Sequence, residues 1–265
     1  MSKKQWQGWG PAEQAQQHYL VEPRSLAGGG DVRHVAEFLR ASGWTDKSKR
    51  DRMVLHSPDR NIRVSYDPVS HPGGWTIHSK ATAHQPEWVA ALGTQTPVEI
   101  VAGLTDALTQ PRSAHAPNVW APLQEQKWRT VPGAKHSTAA SPDGTAWMQF
   151  RQEPDGQAMW CAGAGDQNGN SWSATFSTTT PMHLVQAVST ALASPEPVMR
   201  PRGRVPQSPQ IRTTSVSVLP SQLSAWQQRR VDAARALTWA RNWRPRKPGT
   251  TDPRLTTSYA RTAHR

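Results

Sequence analysis

Ser57-Pro-Asp-Arg-Asn-Ile-Arg-Val-Ser-Tyr66 and Ser141-Pro-Asp-Gly-Thr-Ala-Trp-Met-Gln-Phe150 are one piece of chain written twice. In each, Ser and Pro take the first two places of a type I turn. Gly144 suits the close of that turn. Apolar residues then fall on alternate positions, Ile62, Val64 and Tyr66 in one copy and Ala146, Met148 and Phe150 in the other. A turn followed by period-two alternation is the mark of a hairpin strand with one buried face.

The likeness extends in both directions at a shift of 84 residues. Val35 and Leu39 fall on Val119 and Leu123, and Trp44 on Trp128. Trp88, Ala90 and Leu92 fall on Trp172, Ala174 and Phe176. Thr96-Pro97 falls on Thr180-Pro181, Ala107-Leu108 on Ala191-Leu192, and Pro111 on Pro195. Trp75 slips by one, onto Trp160. So many matches at one offset mean an internal duplication.

The shared pattern predicts the elements of one module. Asp31 caps a helix that carries Val32, Val35, Ala36 and Leu39 and ends near Gly43. Its counterpart runs from Asn118 to about Gln126, with Pro122 in the first turn. Strands follow at Met53–His56, Ile62–Tyr66, around Trp75 and Ile77, and at Trp88–Leu92. The closing helix has Thr96 as cap, Pro97 at its first position and Glu99 completing a capping box. Its stripe is Val98, Val101, Leu104 and Leu108, or Met182, Val185, Val188 and Leu192 in the second copy. The fold class is therefore α+β. It comprises two tandem copies of an antiparallel-sheet-plus-helix module (helix, four or five strands, helix), then a basic tail with one helix. A module this small needs a partner surface, so the copies are expected to pack edge to edge about a pseudo-dyad.

These residues resemble the SPDY domain family, an actinobacterial domain of unknown function that usually occurs as a tandem pair. The resemblance is carried by Val21-Glu-Pro-Arg-Ser-Leu-Ala-Gly-Gly-Gly-Asp31, Gly43-Trp44, the two Ser-Pro-Asp turns and Thr96-Pro-Val-Glu-Ile-Val-Ala-Gly-Leu-Thr-Asp-Ala-Leu108. It covers roughly residues 19–200. The fourth position of the signature departs from the family name, being Arg60 and Gly144. The resemblance implies the tandem architecture and a bacterial cytoplasmic setting, and no activity.

Charge divides the chain sharply. Residues 1–195 carry 17 Lys+Arg against 16 Asp+Glu, and residues 196–265 carry 14 against 3. Nearly all of the +12 net charge thus sits in the last quarter. A basic tail on a neutral body points to a polyanion. Outside the resemblance, the single cysteine, Cys161, excludes an internal disulfide and also suits a reducing cytoplasm. MSKKQWQGWG lacks the apolar stretch of a signal peptide, and no apolar run is long enough to span a bilayer.

The organisation expected is a disordered leader at 1–18, repeat one at 19–111 and repeat two at 112–195. A flexible Pro/Arg-rich linker at 196–220, a basic amphipathic helix at 221–243 and a disordered basic tail at 244–265 follow. The helix carries an apolar stripe of Leu223, Trp226, Ala233, Leu237 and Ala240.

No catalytic constellation emerges. Cys161 has no histidine at a diagnostic spacing, and no Gly-x-Ser-x-Gly elbow exists. His71, His78 and His84 lie close in sequence without a metal-binding motif. Gly28-Gly29-Gly30 lacks the Gly-Lys-Ser/Thr ending of a phosphate loop and reads as a flexible lead into a helix. No catalytic, cofactor or metal residues are assigned. The tryptophans shared by both copies read first as core and second as a base-stacking surface. Trp6 and Trp9 lie in the polar leader.

The function expected is a non-enzymatic binding protein with an electrostatic nucleic-acid-binding tail. Its contacts would be Arg200, Arg202, Arg204, Arg229, Arg230, Arg235, Arg241, Arg244, Arg246 and Lys247. The tail helix has two other readings, an anionic membrane surface or docking on a partner or on the repeats. A protein-interaction adaptor with no nucleic-acid role is the alternative function, and an enzyme ranks third.

Overall fold

Each Ser-Pro-Asp turn is a closed hydrogen-bond unit in the computed structural model, which describes residues 14–70, 73–110, 115–152, 156–169 and 171–242. Ser57 Oγ donates to Asp59 Oδ1 at 2.5 Å and accepts from the Ile62 N–H at 2.9 Å. Ser141, Asp143 and Ala146 repeat this arrangement at the same distances. Burial on its own would raise the Asp59 and Asp143 carboxyls, but the hydrogen bonds they accept hold both below the usual aspartate value. The polar residues of the signature are thus used in making the turn.

The fourth position adopts the left-handed conformation in both copies, with φ of 60° at Arg60 and 72° at Gly144. Glycine takes this conformation freely, and a side chain makes it costly. Arg60→Gly is therefore expected to stabilise the protein by about 1 kcal/mol, read as a higher urea midpoint at constant slope. An unchanged or lower midpoint would refute it.

The first elements among the described residues are β1 (Gln16–Glu22) and a short 3₁₀ turn over Arg24–Leu26. Repeat one follows as α1 (Arg33–Ala41), β2 (Thr45–Asp46), β3 (Met53–His56), β4 (Ile62–Asp67), β5 (Gly74–Ser79), β6 (Trp88–Gly93) and α2 (Val98–Thr109). Repeat two is α3 (Ala121–Glu125), β7 (Arg129–Val131), β8 (His136–Ala140), β9 (Ala146–Gln152), β10 (Ala158–Gly165), β11 (Ser171–Ser177) and α4 (Met182–Ala193). The order expected from the sequence holds, with five strands in each copy. After them come β12 (Val198–Pro201), β13 (Arg212–Val218) and α5 (Pro220–Asn242).

The two meanders join through β6 and β11 into one ten-stranded antiparallel sheet. Ala90 faces Phe176, Ala91 faces Thr175 and Leu92 faces Ala174. The shift of 84 residues maps this pairing onto itself, so a pseudo-dyad passes between Ala91 and Thr175. α2 and α4 cross over the same axis. A Cβ on Gly103 would lie 2.9 Å from the Ala191 Cβ and 3.4 Å from the Ala187 carbonyl, so the helices need a small residue there. The slip at Trp75 is also resolved. Trp75 pairs with Tyr66 and Leu92, and Trp160 with their counterparts Phe150 and Phe176. The hairpin before Trp160 is one residue longer, and the connection after it one shorter.

The helices cover one face of this sheet. Trp44, Trp75, Trp88, Trp128, Trp160 and Trp172 are all buried in the core between them, which rules these six out as a stacking surface. Tyr66–Trp75 and Phe150–Trp160 form equivalent ring pairs at 4.8 and 5.1 Å. Asn118 Oδ1 accepts the N–H groups of Trp120 and Ala121 ahead of α3, and Asp31 Oδ1 that of Arg33 at the start of α1.

Three expectations are corrected. Residues 196–220 are no flexible linker: β12 and β13 flank β1 in a separate three-stranded antiparallel sheet. The leader, expected to reach residue 18, yields to β1 from Gln16, while residues 1–13 with Trp6 and Trp9 lie outside the described residues. Val21 and Val198 from this sheet bury with Ala27 in a second small core, and that burial explains why a Pro-, Arg- and Ser-rich segment folds. α2 begins at Val98 rather than Pro97. Thr96 does not cap it, because the first helical N–H donates to the Gly29 carbonyl at 3.0 Å.

Candidate nucleic-acid interface

The arginines expected to contact nucleic acid separate into two groups. Arg200 is buried, 3% exposed, and all five of its N–H groups are used. Nη1 and Nη2 hold the Glu99 carboxylate in a two-pronged pair at 2.6 and 2.8 Å. Nε donates to Ala27, Nη2 to Gly28 and Nη1 to Met199, all at backbone carbonyls. Glu99 therefore serves this pair rather than a capping box. The glycine run beside it is not a flexible lead. Gly30, at φ 73°, lies where a Cβ would stand 2.8 Å from Val98 and 3.2 Å from the Arg200 guanidinium.

Arg230 is the second arginine withdrawn from the surface. It pairs through two nitrogens with Asp106, donates to the His34 carbonyl at 2.8 Å and stacks 4.2 Å from the Phe38 ring centre. Burial pushes the Asp106 carboxyl up, and Arg230 pulls against it. Val231 and Ala234 bury beside it, and Thr238 Oγ1 donates to the Ala41 carbonyl. α5 thus docks on α1 and α2 of repeat one, along a face rotated from the expected stripe. Ala233, Leu237 and Ala240 are exposed, because the groove offers a carboxylate and carbonyls rather than an apolar trough.

Arg202, Arg204, Arg229 and Arg235 remain at the surface. Arg235 pairs with Asp232 one turn back at 3.3 Å, and Arg202 reaches Gln17 at 3.3 Å. Arg212, which the sequence reading did not single out, is exposed on β13. The side chain of Arg241, and Arg244, Arg246 and Lys247 altogether, lie outside the described residues.

Other candidates resolve simply. Cys161 is buried in β10. His78 Nε2 lies 2.6 Å from Glu87 Oε1, His84 is exposed on a loop, and His71 is outside the described residues. Among the described residues no three His, Cys, Asp or Glu side chains come together as a metal site. No helix among them is long and apolar enough to cross a membrane.

One cleft lies against the helix-free face of the sheet, beside the β6–β11 seam. It measures about 460 Å³. Thr94, Gln95, Trp147, Ser171 and Ser173 line it, with Gly73, Gly93, Ala164, Gly165 and Trp172 completing the wall, and none of them is charged. The Trp147 indole lies directly on Gly163, where a Cβ would come within 2.7 Å of the ring.

A family model matches residues 56–114 and 140–198, and it describes SPDY, a domain of unknown function (DUF317). The chain carries two SPDY domains in tandem. Each match starts beside a Ser-Pro-Asp turn and runs past the packing helix. It is narrower than the resemblance over 19–200, for it leaves out β1, α1, β2, α3, β7 and all but the last residue of β3 and of β8. The two matches thus cover the six central strands of the ten-stranded sheet, β4–β6 and β9–β11, with α2 and α4. No curated protein and no solved structure matches the chain.

Proposed function

We propose that this tandem SPDY protein is a non-enzymatic binding protein of the bacterial cytoplasm, whose folded body carries a basic C-terminal segment onto nucleic acid. The observation that supports it is the placing of charge. Residues 1–195 are close to neutral, and residues 196–265 hold 14 Lys+Arg against 3 Asp+Glu. Arg200 and Arg230 are taken up by internal pairs, so the charge available to a polyanion lies on the 202–212 stretch, the outer side of α5 and the segment after Asn242. That last segment has six basic residues and one acid. Contacts of this kind read the phosphate backbone and carry little sequence preference.

The test is fluorescence anisotropy with labelled single- and double-stranded DNA and RNA across a salt series. Because β12, β13 and α5 belong to the fold, the truncation to compare ends at Asn242. The whole chain is expected to bind at low salt with a log–log salt slope of about −4 to −5 for some six phosphate contacts. The truncated chain is expected to lose most of that slope. Absence of binding by the whole chain at low salt would remove the reading.

A second reading is a protein-interaction adaptor. It is favoured by Leu237 and Trp239, which stand 49% and 66% exposed on the docked α5. One-to-one association with a protein that ignores salt would support it.

A further inference from the structure

The cleft beside Trp147 lies at the seam of the repeats, with Gly73, Gly93, Thr94 and Gln95 from the first and the rest of its lining from the second. At the position equivalent to Trp147, repeat one has Arg63, and its strand neighbourhood carries the His78–Glu87 pair in place of glycine and serine. The two copies share their cores and turns, so duplication alone does not account for the contact of Trp147 with Gly163 in the second. Gly163 admits the indole flat onto the sheet. Gly73, Gly93 and Gly165 line the space beside it. An aromatic ring with hydroxyl and amide groups around it, and no charge, suits a flat neutral ring rather than a phosphate.

The chain's own C-terminal part reaches the neighbourhood of the cleft. Asn168, in the loop joining cleft residues Gly165 and Ser171, donates to the Gln207 carbonyl at 3.4 Å. At the other side Gly28 sits between Pro206 and Gln95, 3.1 and 3.7 Å from where its Cβ would be. Pro206 and Gln207 therefore lie beside the cleft, and Arg202 and Arg204, a few residues earlier in the chain, are exposed. A stacking ring beside arginines is the arrangement that single-strand binders use.

We propose that this cleft holds one base of a single-stranded nucleic acid, stacked on Trp147, with Arg202 and Arg204 on the neighbouring phosphates. The proposal rests on the nucleic-acid reading above and adds a second contact point on the body. Ser171, Ser173, Thr94 and Gln95 are the groups that can hydrogen-bond the edge of the base.

The experiment uses the full-length chain and two labelled strands of equal length, one with bases and one abasic. Both carry the same phosphates. Trp147→Leu is expected to weaken binding of the base-containing strand about tenfold and to leave the abasic strand unchanged. Trp147→Phe should keep most of the affinity. Ser173→Leu, a change at an exposed position, fills the cleft without touching the core and should weaken the same strand. It keeps the test open if Trp147→Leu fails to fold. Equal binding of both strands by wild type, or normal binding by a folded Trp147→Leu and by Ser173→Leu, overturns the cleft site and leaves the electrostatic tail standing. No binding of either strand by wild type overturns both.

Discussion

Arg200→Ala is expected to cost about 3–5 kcal/mol of folding stability, the loss that follows when one partner of a buried ion pair is removed. The substitution strands the Glu99 carboxylate, and it leaves the Ala27, Gly28 and Met199 carbonyls without their donor. It also opens a hole against Gly30 and Val98. Arg200→Lys should recover only part of the loss, since an ammonium cannot reproduce the two-pronged geometry. Arg204→Ala is the control. It makes the same change of charge at an exposed site and should stay within about 0.5 kcal/mol of wild type. Urea unfolding of the three variants measures the difference. If Arg200→Ala matched Arg204→Ala, the pair would be incidental to the fold.

The same pair shows where sequence reading stops. The meanders, the Ser-Pro-Asp turns, the buried tryptophans and the pairing of the copies were legible because they rest on local patterns written twice. Glu99 was legible only as a capping residue, since its partner lies 101 positions away. A signal was nonetheless present. The position equivalent to Glu99 in repeat two is His183, and that equivalent to Asp106 is Thr190. These two acids, which the duplication does not share, work outside the module, for both are taken by arginines of the C-terminal part. β13 also left a trace in the alternation of Val216 and Val218, obscured by the prolines that bracket it. The cleft was not legible, because it depends on which face of β9 and β10 the helices leave open. Trp147 lies on the helix-free side, while its neighbour Met148 is fully buried.

A cut within residues 111–114, between α2 and α3, is expected to leave the protein in one piece. The two SPDY units are consecutive in sequence, yet their surfaces are completed by each other. β6 and β11 close the main sheet, and α2 packs on α4 above them. β1 from the first half lies between β12 and β13 from the second, and those two strands have no other neighbour in their sheet. The Trp172 indole N–H donates to the Ser25 carbonyl at 2.8 Å, and the Glu99–Arg200 and Asp106–Arg230 pairs also cross the cut. Freed halves would expose an apolar helix face and open strand edges, which favour reassociation or aggregation over separate folding. With a protease site placed in 111–114, the nicked protein should elute as the intact one does in native gel filtration. It should separate only in denaturant, and neither purified half should show a cooperative melt. Two halves that part without denaturant and each melt cooperatively would make the SPDY units independent domains. The C-terminal additions would then be ornaments rather than the clasp that Arg200 and Arg230 describe.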